Sequence, residues 1–200
     1  YGIISLLIVF FYLYSFKRIH HFMEKERRSS ERLEQANLNV IHALVRTIDA
    51  KDRYTNGHSV RVAKYAMEIA KRMGKSEEEQ KLIYYAGLLH DVGKIRVPVE
   101  IINKPGRLTD EEFEQVKIHP ITGYHILKDI YEDKKIAMGV KFHHERYDGK
   151  GYPSGLAERN IPEIARILGV ADTYDAMTSN RSYRSALSQE KVRSEIEKGK

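Results

Sequence analysis

The chain carries nine histidines in 200 residues. Five of them, His58, His90, His119, His143 and His144, fall at the ends of stretches with helical periodicity. Two aspartates join them, Asp91 directly after His90 and Asp172 in the middle of a later stretch. Imidazole and carboxylate are ligands for Mn, Fe, Co, Ni or Zn, and the absence of cysteine leans the set towards a hard or borderline metal. These donors exceed the needs of one tetrahedral or octahedral ion and suit two ions that share a bridging carboxylate. Successive helical residues point about 100° apart. His90 with Asp91, or His143 with His144, therefore cannot easily chelate one ion from one helix face, but each pair can serve two neighbouring ions. A histidine at a helix C-terminus can instead answer the negative end of the dipole. That accounts for one of them, not for the 143–144 pair or for the cluster His90-Asp91-x-Gly93-Lys94.

Such donors need helices to hold them. Apolar residues recur as Leu33, Ala36, Val40, Leu44 and Ile48, and again as Val60, Ala63, Met67 and Ala70, each a stripe along one helix face. The first stripe would serve equally as a dimer seam or as an inward-packing face. Ser76 with Glu79, and Thr109 with Glu112, have the spacing of capping boxes. The first box opens a helix through Leu82, Tyr85 and Leu89 into His90. Pro120 opens a short helix through Ile121, Tyr124 and Leu127. A helix over 136–144 would end on the two histidines, and Pro162 sits in the first turn of one over 163–177, where its missing N–H costs nothing. Ser188 caps a last helix. No strand-length alternating run bounded by hairpin turns occurs, so the expected fold class is all-α.

Composition excludes other classes. Without cysteine there is no disulfide, thiolate metal site or cysteine nucleophile. Of the net charge of +6, half lies within residues 17–32, where six lysines and arginines meet three glutamates. The remainder is diluted, which argues against a nucleic-acid polymer as partner. Residues 1–16 carry no charge, and a bilayer is spanned by about 20 apolar residues. Lys17, Arg18, Lys25, Arg27 and Arg28 follow, and basic flanks remain on the cytoplasmic side. In a signal peptide the basic residues come first; here the order is reversed. The expected organisation is the C-terminal part of a transmembrane helix at 1–16, a juxtamembrane helical linker at 17–42 and a domain at 43–200. This places the domain in the cytoplasm, tethered to the inner membrane. The absence of an initial methionine reads as a chain cut upstream.

The segment His90-Asp91-Val92-Gly93-Lys94, followed by His143-His144-Glu145-Arg146-Tyr147-Asp148-Gly149-Lys150-Gly151-Tyr152-Pro153, resembles the HD-GYP family. This is a branch of the HD-domain metal-dependent phosphohydrolases that hydrolyses the second messenger cyclic di-GMP. The similarity runs from about residue 43 to the last residues. It includes Thr55-Asn56-Gly57-His58, Asn103-Lys104-Pro105-Gly106, His119-Pro120, the Asp172 and Asp175 region, and Arg181-Ser182-Tyr183-Arg184. The resemblance implies an HD-type helical bundle with a GYP loop, shortened at its C-terminus. It implies one metal held by His58, His90, Asp91 and Asp172, and a second by Asp91, His119, His143 and His144, with Asp91 as the bridge. Some members add a glutamate four residues before the first ligand histidine, for a third metal. Tyr54 stands there, a far weaker ligand at neutral pH, which favours two ions. Fe or Mn is expected, with Co, Ni, Mg or Zn able to use the same donors.

Two metals about 3.5–4 Å apart can activate a water and polarise P–O bonds. Asp91 and Lys94 are the expected catalytic pair, Lys94 also as a phosphate contact; an ordinary surface lysine is the plainer reading. Arg181 and Arg184 suit a phosphate or a guanine edge, or else form a solvated basic turn. The loop over 149–153 gives backbone access to a ligand, and Tyr152 offers a face for a base or simply packs beneath the turn. Asp175, three residues after Asp172, could orient a ligand histidine. His20, His21, His42 and His125 receive no role. The expected activity is hydrolysis of cyclic di-GMP to linear pGpG or GMP, in a homodimer. The alternatives are a phosphohydrolase acting on another nucleotide, a receptor that binds a cyclic dinucleotide without turnover, and a purely structural signalling module.

Overall fold

A computed structural model describes residues 2–52, 57–130, 133–179 and 186–198. Every regular element among them is helical, and no strand occurs among the described residues. The chain divides into two compact units, residues 1–42 and 43–200.

The first unit lies within helix α1 (Gly2–Asp49). Its N-terminal half exposes large apolar side chains, among them Leu6, Phe10, Phe11 and Phe16. One 18-residue window has mean hydropathy 1.6 and none of it is buried, so by length and composition this helix could cross a membrane. Charge-rich residues follow, with one-turn pairs between Glu24 and Arg28 and between Arg27 and Glu31. Leu33, Val40 and Leu44 of the apolar stripe are all more than half exposed.

In the second unit the end of α1 turns Val45 and Asp49 inward. The Asp49 carboxylate accepts a hydrogen bond from the Ser59 hydroxyl at 2.8 Å, tying α1 to α2 (His58–Arg72). Small residues on α2, Ala63, Ala66 and Ala70, are fully buried and let it lie close to α3 (Glu77–Leu89). The Ser76–Glu79 box is formed in full at the start of α3. A 3-10 turn (Val92–Arg96) leads to the short α4 (Val99–Ile102) and then α5 (Asp110–Val116), whose Thr109–Glu112 box is also complete. Next come α6 (His119–Leu127), α7 (Lys135–Phe142), α8 (Glu163–Thr178) and α9 (Gln189–Lys198). Ile83, Leu88, Ile136, Val140, Ala165 and Leu168, from α3, α7 and α8, form the buried interior. Burial of each large aliphatic contributes about 1.5–3 kcal/mol.

Three boundaries differ from expectation. Helix α6 begins at His119 rather than Pro120, because proline is tolerated within a first turn. Helix α7 stops at Phe142, two residues before the expected end, where the Glu145 N–H turns back to the Phe142 carbonyl. The histidine pair thus follows the last helical residue, with His143 as the C-cap in a backbone conformation that is still right-handed helical. Helix α8 runs one residue past the expected Met177, to Thr178, with Pro162 as its N-cap.

Candidate metal centre

His58 is the first residue of α2, His90 the C-cap of α3, and Asp91 opens the 3-10 turn. His119 is the first residue of α6; His143 caps α7 with His144 after it; Asp172 projects from the middle of α8. Three of the rings are held by one device. The Nδ1 atoms of His90, His119 and His143 each lie 2.7 Å from a carbonyl three residues upstream, those of Gly87, Val116 and Val140. A carbonyl only accepts, so Nδ1 carries the proton and Nε2 presents its lone pair to the interior. His58 follows another route, with Nδ1 2.7 Å from Asp175 Oδ2. Arg61, one turn along α2, reaches the same carboxylate from Nε at 2.6 Å and Nη2 at 3.0 Å.

The free nitrogens converge. Nitrogen and oxygen donors lie within 4.8 Å of one another in three sets: His119, His143 and His144; His58, His90 and Asp172; and His90, Asp91 and His143. Asp91 stands between the first two. Its Oδ1 is 3.4 Å from His119 Nε2, while its Oδ2 is 3.4 Å from His90 Nε2 and 3.8 Å from His58 Nε2. The Nε2 atoms of His119 and His143 face each other at 3.4 Å, and His90 Nε2 is buried with no hydrogen-bond partner among the described residues. A buried acceptor left in this state is costly. A divalent cation answers that cost, and the donors fit one.

Charge is arranged to the same end. Burial alone would raise Asp91, but the Lys94 ammonium at 2.7 Å and the surrounding imidazoles outweigh it and hold the carboxyl well below its usual range. Asp172 is depressed against its own burial by the hydrogen bond to His58, whose Nε2 is 3.2 Å away. Burial lowers His58, yet the bonds to Asp172 and Asp175 more than reverse this, and its pKa is pushed up to about 9. Burial holds His119 down to about 3 and lowers His143 and His144 as well. One triad is therefore neutral and ready for a cation, whereas His58 must shed a proton first.

Two glycines permit these approaches. A Cβ on Gly93 would lie 1.9 Å from the His119 carbonyl oxygen, so only glycine lets the Asp91 turn meet the start of α6. A Cβ on Gly151 would lie 2.3 Å from the Arg146 nitrogen, where the loop folds back over the histidines. There the Tyr152 N–H donates to the His144 carbonyl at 3.2 Å, and its ring lies 4.8 Å from that of His144, inclined by 33°. Glu145 is buried and spans the loop, accepting from the Ser154 N–H at 2.6 Å and the Leu156 N–H at 2.9 Å.

The expected site residues that the structure describes are thus gathered in one place: His58, His90, Asp91, Lys94, His119, His143, His144, Tyr152 and Asp172. Asp175 sits behind His58. Arg181, Arg184 and Tyr54 lie outside the described residues. Sequence reasoning did not single out Asp52, whose carboxylate is 3.7 Å from Lys94 Nζ, nor Arg61 and Glu145. Glu145 had a usable signal, an acid between two histidines and a glycine-rich loop; Asp52 and Arg61 had none beyond proximity to His58.

A helical bundle that brings histidines and a central aspartate from separate helix ends into one buried cluster defines a class of metal-dependent phosphohydrolase folds. The chain belongs to the HD domain family, which matches residues 42–198, and within it to the HD-GYP type. It is 40% identical over 161 residues to a cyclic di-GMP phosphodiesterase response regulator, RpfG, of Xanthomonas campestris, covering 79% of this chain and 42% of that protein. It is 35% identical over 155 residues to 3'3'-cGAMP-specific phosphodiesterase 1 of Vibrio cholerae, covering 78% of this chain and 36% of the relative. The chain therefore spans about two fifths of the length of these relatives. A solved structure from V. cholerae, the cyclic GMP-AMP phosphodiesterase V-cGAP3, shares the fold with a TM-score of 0.60 at 17% identity, over 78% of this chain and 43% of that one.

Proposed function

We propose that this chain is the catalytic part of a metal-dependent phosphodiesterase that hydrolyses cyclic di-GMP to linear pGpG or GMP. The observation that carries the reading is Asp91, whose two carboxylate oxygens face two separate groups of histidines. In this reading His58, His90 and Asp172 hold one ion, His119, His143 and His144 the other, and Asp91 both. Fe or Mn suits the donors best, with Co, Ni, Mg or Zn as alternatives. When bound, such a pair would lower the pKa of a water and draw charge from the phosphoryl oxygens. Lys94 keeps Asp91 ionised and can donate to a phosphate oxygen. Tyr152 covers His144 and offers its ring to a base. Arg181 and Arg184 are proposed to contact the substrate from the segment after α8.

The test is anaerobic purification, metal quantification and a chromatogram of products formed with Mn(II) or Fe(II). Asp91→Ala should abolish turnover; robust hydrolysis by that variant would end the bridging role. A second substrate reading, 3'3'-cGAMP, is favoured by the similarity to the Vibrio cholerae enzyme, and the same chromatogram distinguishes it. Retention of a complete donor set weighs against a receptor without turnover. The apolar start of α1, followed by Lys17 and Arg18, supports an inner-membrane tether with the domain in the cytoplasm. The exposed Leu33 and Val40, seven residues apart, support pairing with a second copy along α1.

A further inference from the structure

Four rings form a row that leads outward from the buried histidines. His119 and His144 stand 5.0 Å apart between centroids, His144 and Tyr152 4.8 Å, and Tyr152 meets Phe113 of α5 edge to face at 6.2 Å and 82°. Phe113 ends the row at the surface, 43% exposed on a helix otherwise rich in acids. Lys117 lies over it, with Nζ 4.9 Å from the Phe113 centroid and 6.0 Å from that of Tyr152, while pairing with Glu114 at 2.6 Å. A single exposed aromatic is ordinary on a protein surface; what marks this one is that it continues a row of rings that starts at the candidate ligands.

We infer that Phe113 and Lys117 form the platform for a purine base of the substrate, with Phe113 stacking on the ring system. This rests on the function proposed above. A phosphodiester anchored among the histidines carries its bases outward, and Tyr152 and Phe113 are the aromatic surfaces that the row presents in that direction. Lys117 supplies a donor to the O6 and N7 acceptors that guanine offers on one edge. Stacking is tolerant of base identity, so Phe113 reads the presence of a base and Lys117 favours guanine.

The test compares two substrates on the Mn(II)-loaded full chain: cyclic di-GMP, and bis(p-nitrophenyl) phosphate, a phosphodiester with no base. Phe113→Ala should lower the ratio of kcat/KM for cyclic di-GMP over that for the small diester about tenfold, through KM. That factor corresponds to about 1.4 kcal/mol. Phe113→Trp should restore the ratio. An unchanged ratio, or a loss shared by both substrates that Phe113→Trp does not repair, overturns the platform and leaves the phosphodiesterase standing. If the wild type binds cyclic di-GMP without cleaving it, a tenfold weaker Kd in Phe113→Ala supports the platform while the hydrolytic reading fails. A wild type that neither binds nor cleaves the nucleotide overturns both.

Discussion

The His58 ring and the Asp175 carboxylate, 117 positions apart in the chain, share a buried 2.7 Å hydrogen bond from Nδ1 to Oδ2. It joins the first residue of α2 to the last turns of α8 and aims His58 Nε2 at Asp172 and Asp91. Arg61 fixes the far side of the same carboxylate. Asp175→Asn keeps the size of the side chain while removing its charge. The variant should lose about 10–100-fold in metal affinity, the usual effect of removing a partner behind a ligand histidine. Titration of the metal-free variant with Mn(II) measures this, and an unchanged affinity would deny Asp175 any positioning role.

Gly93→Ala should damage both fold and site, because its new methyl meets the His119 backbone at 1.9 Å. Overpacking of this kind costs about 1–3 kcal/mol or more. In a domain of this size that lowers Tm by roughly 2–4 °C per kcal/mol. Thermal melts read the loss, and metal content should fall with it.

The metal-free protein should be most stable near pH 6.5, and the sign differs on the two sides. His58 has a folded pKa of about 9 against an ordinary 6.5. Its contribution is complete below 6.5 and is lost as pH rises through about 9. His119 has a folded pKa of about 3, so its contribution is present above 6.5 and is lost as pH falls towards 3. His143 and His144 act in the same direction. Denaturant melts in EDTA from pH 4 to 9 check the shape; a monotonic profile would contradict it.

Loading the centre should raise Tm and shift the pH profile. A ligand at 100 times its Kd stabilises by about 2.7 kcal/mol. Because His58 must release a proton, the gain should shrink as the solution is acidified. Calorimetry in buffers of different ionisation enthalpy counts the protons released.

Glu145→Gln should loosen the loop that carries Tyr152. The carboxylate accepts from two backbone N–H groups, and an amide has one acceptor oxygen to offer them. Leaving one of these donors unsatisfied costs about 1–3 kcal/mol. The expected result is a raised KM for a cyclic dinucleotide with metal content retained.

The two capping boxes were legible because each is a contact between residues three apart, complete within its own turn. The all-helical class was legible from apolar spacing for the same reason. The candidate donors could be named as residue types, at helix ends except for Asp172 in the middle of α8, and the structure draws them together. What the sequence hid is long-range: Arg61 reaching Asp175, Asp52 beside Lys94, and Gly93 under the start of α6. No local pattern records which carbonyl a glycine must clear. The early end of α7 was hidden too, since an apolar stripe continues in sequence whether or not the backbone does.

The three ring protons given to Gly87, Val116 and Val140 have a consequence for how the centre fills. Each imidazole is aligned by its own backbone, three residues away, and needs no cation to choose its tautomer. Stripping the protein with a chelator should therefore leave those rings already aimed, and reloading becomes an exchange of ions without a search through conformations.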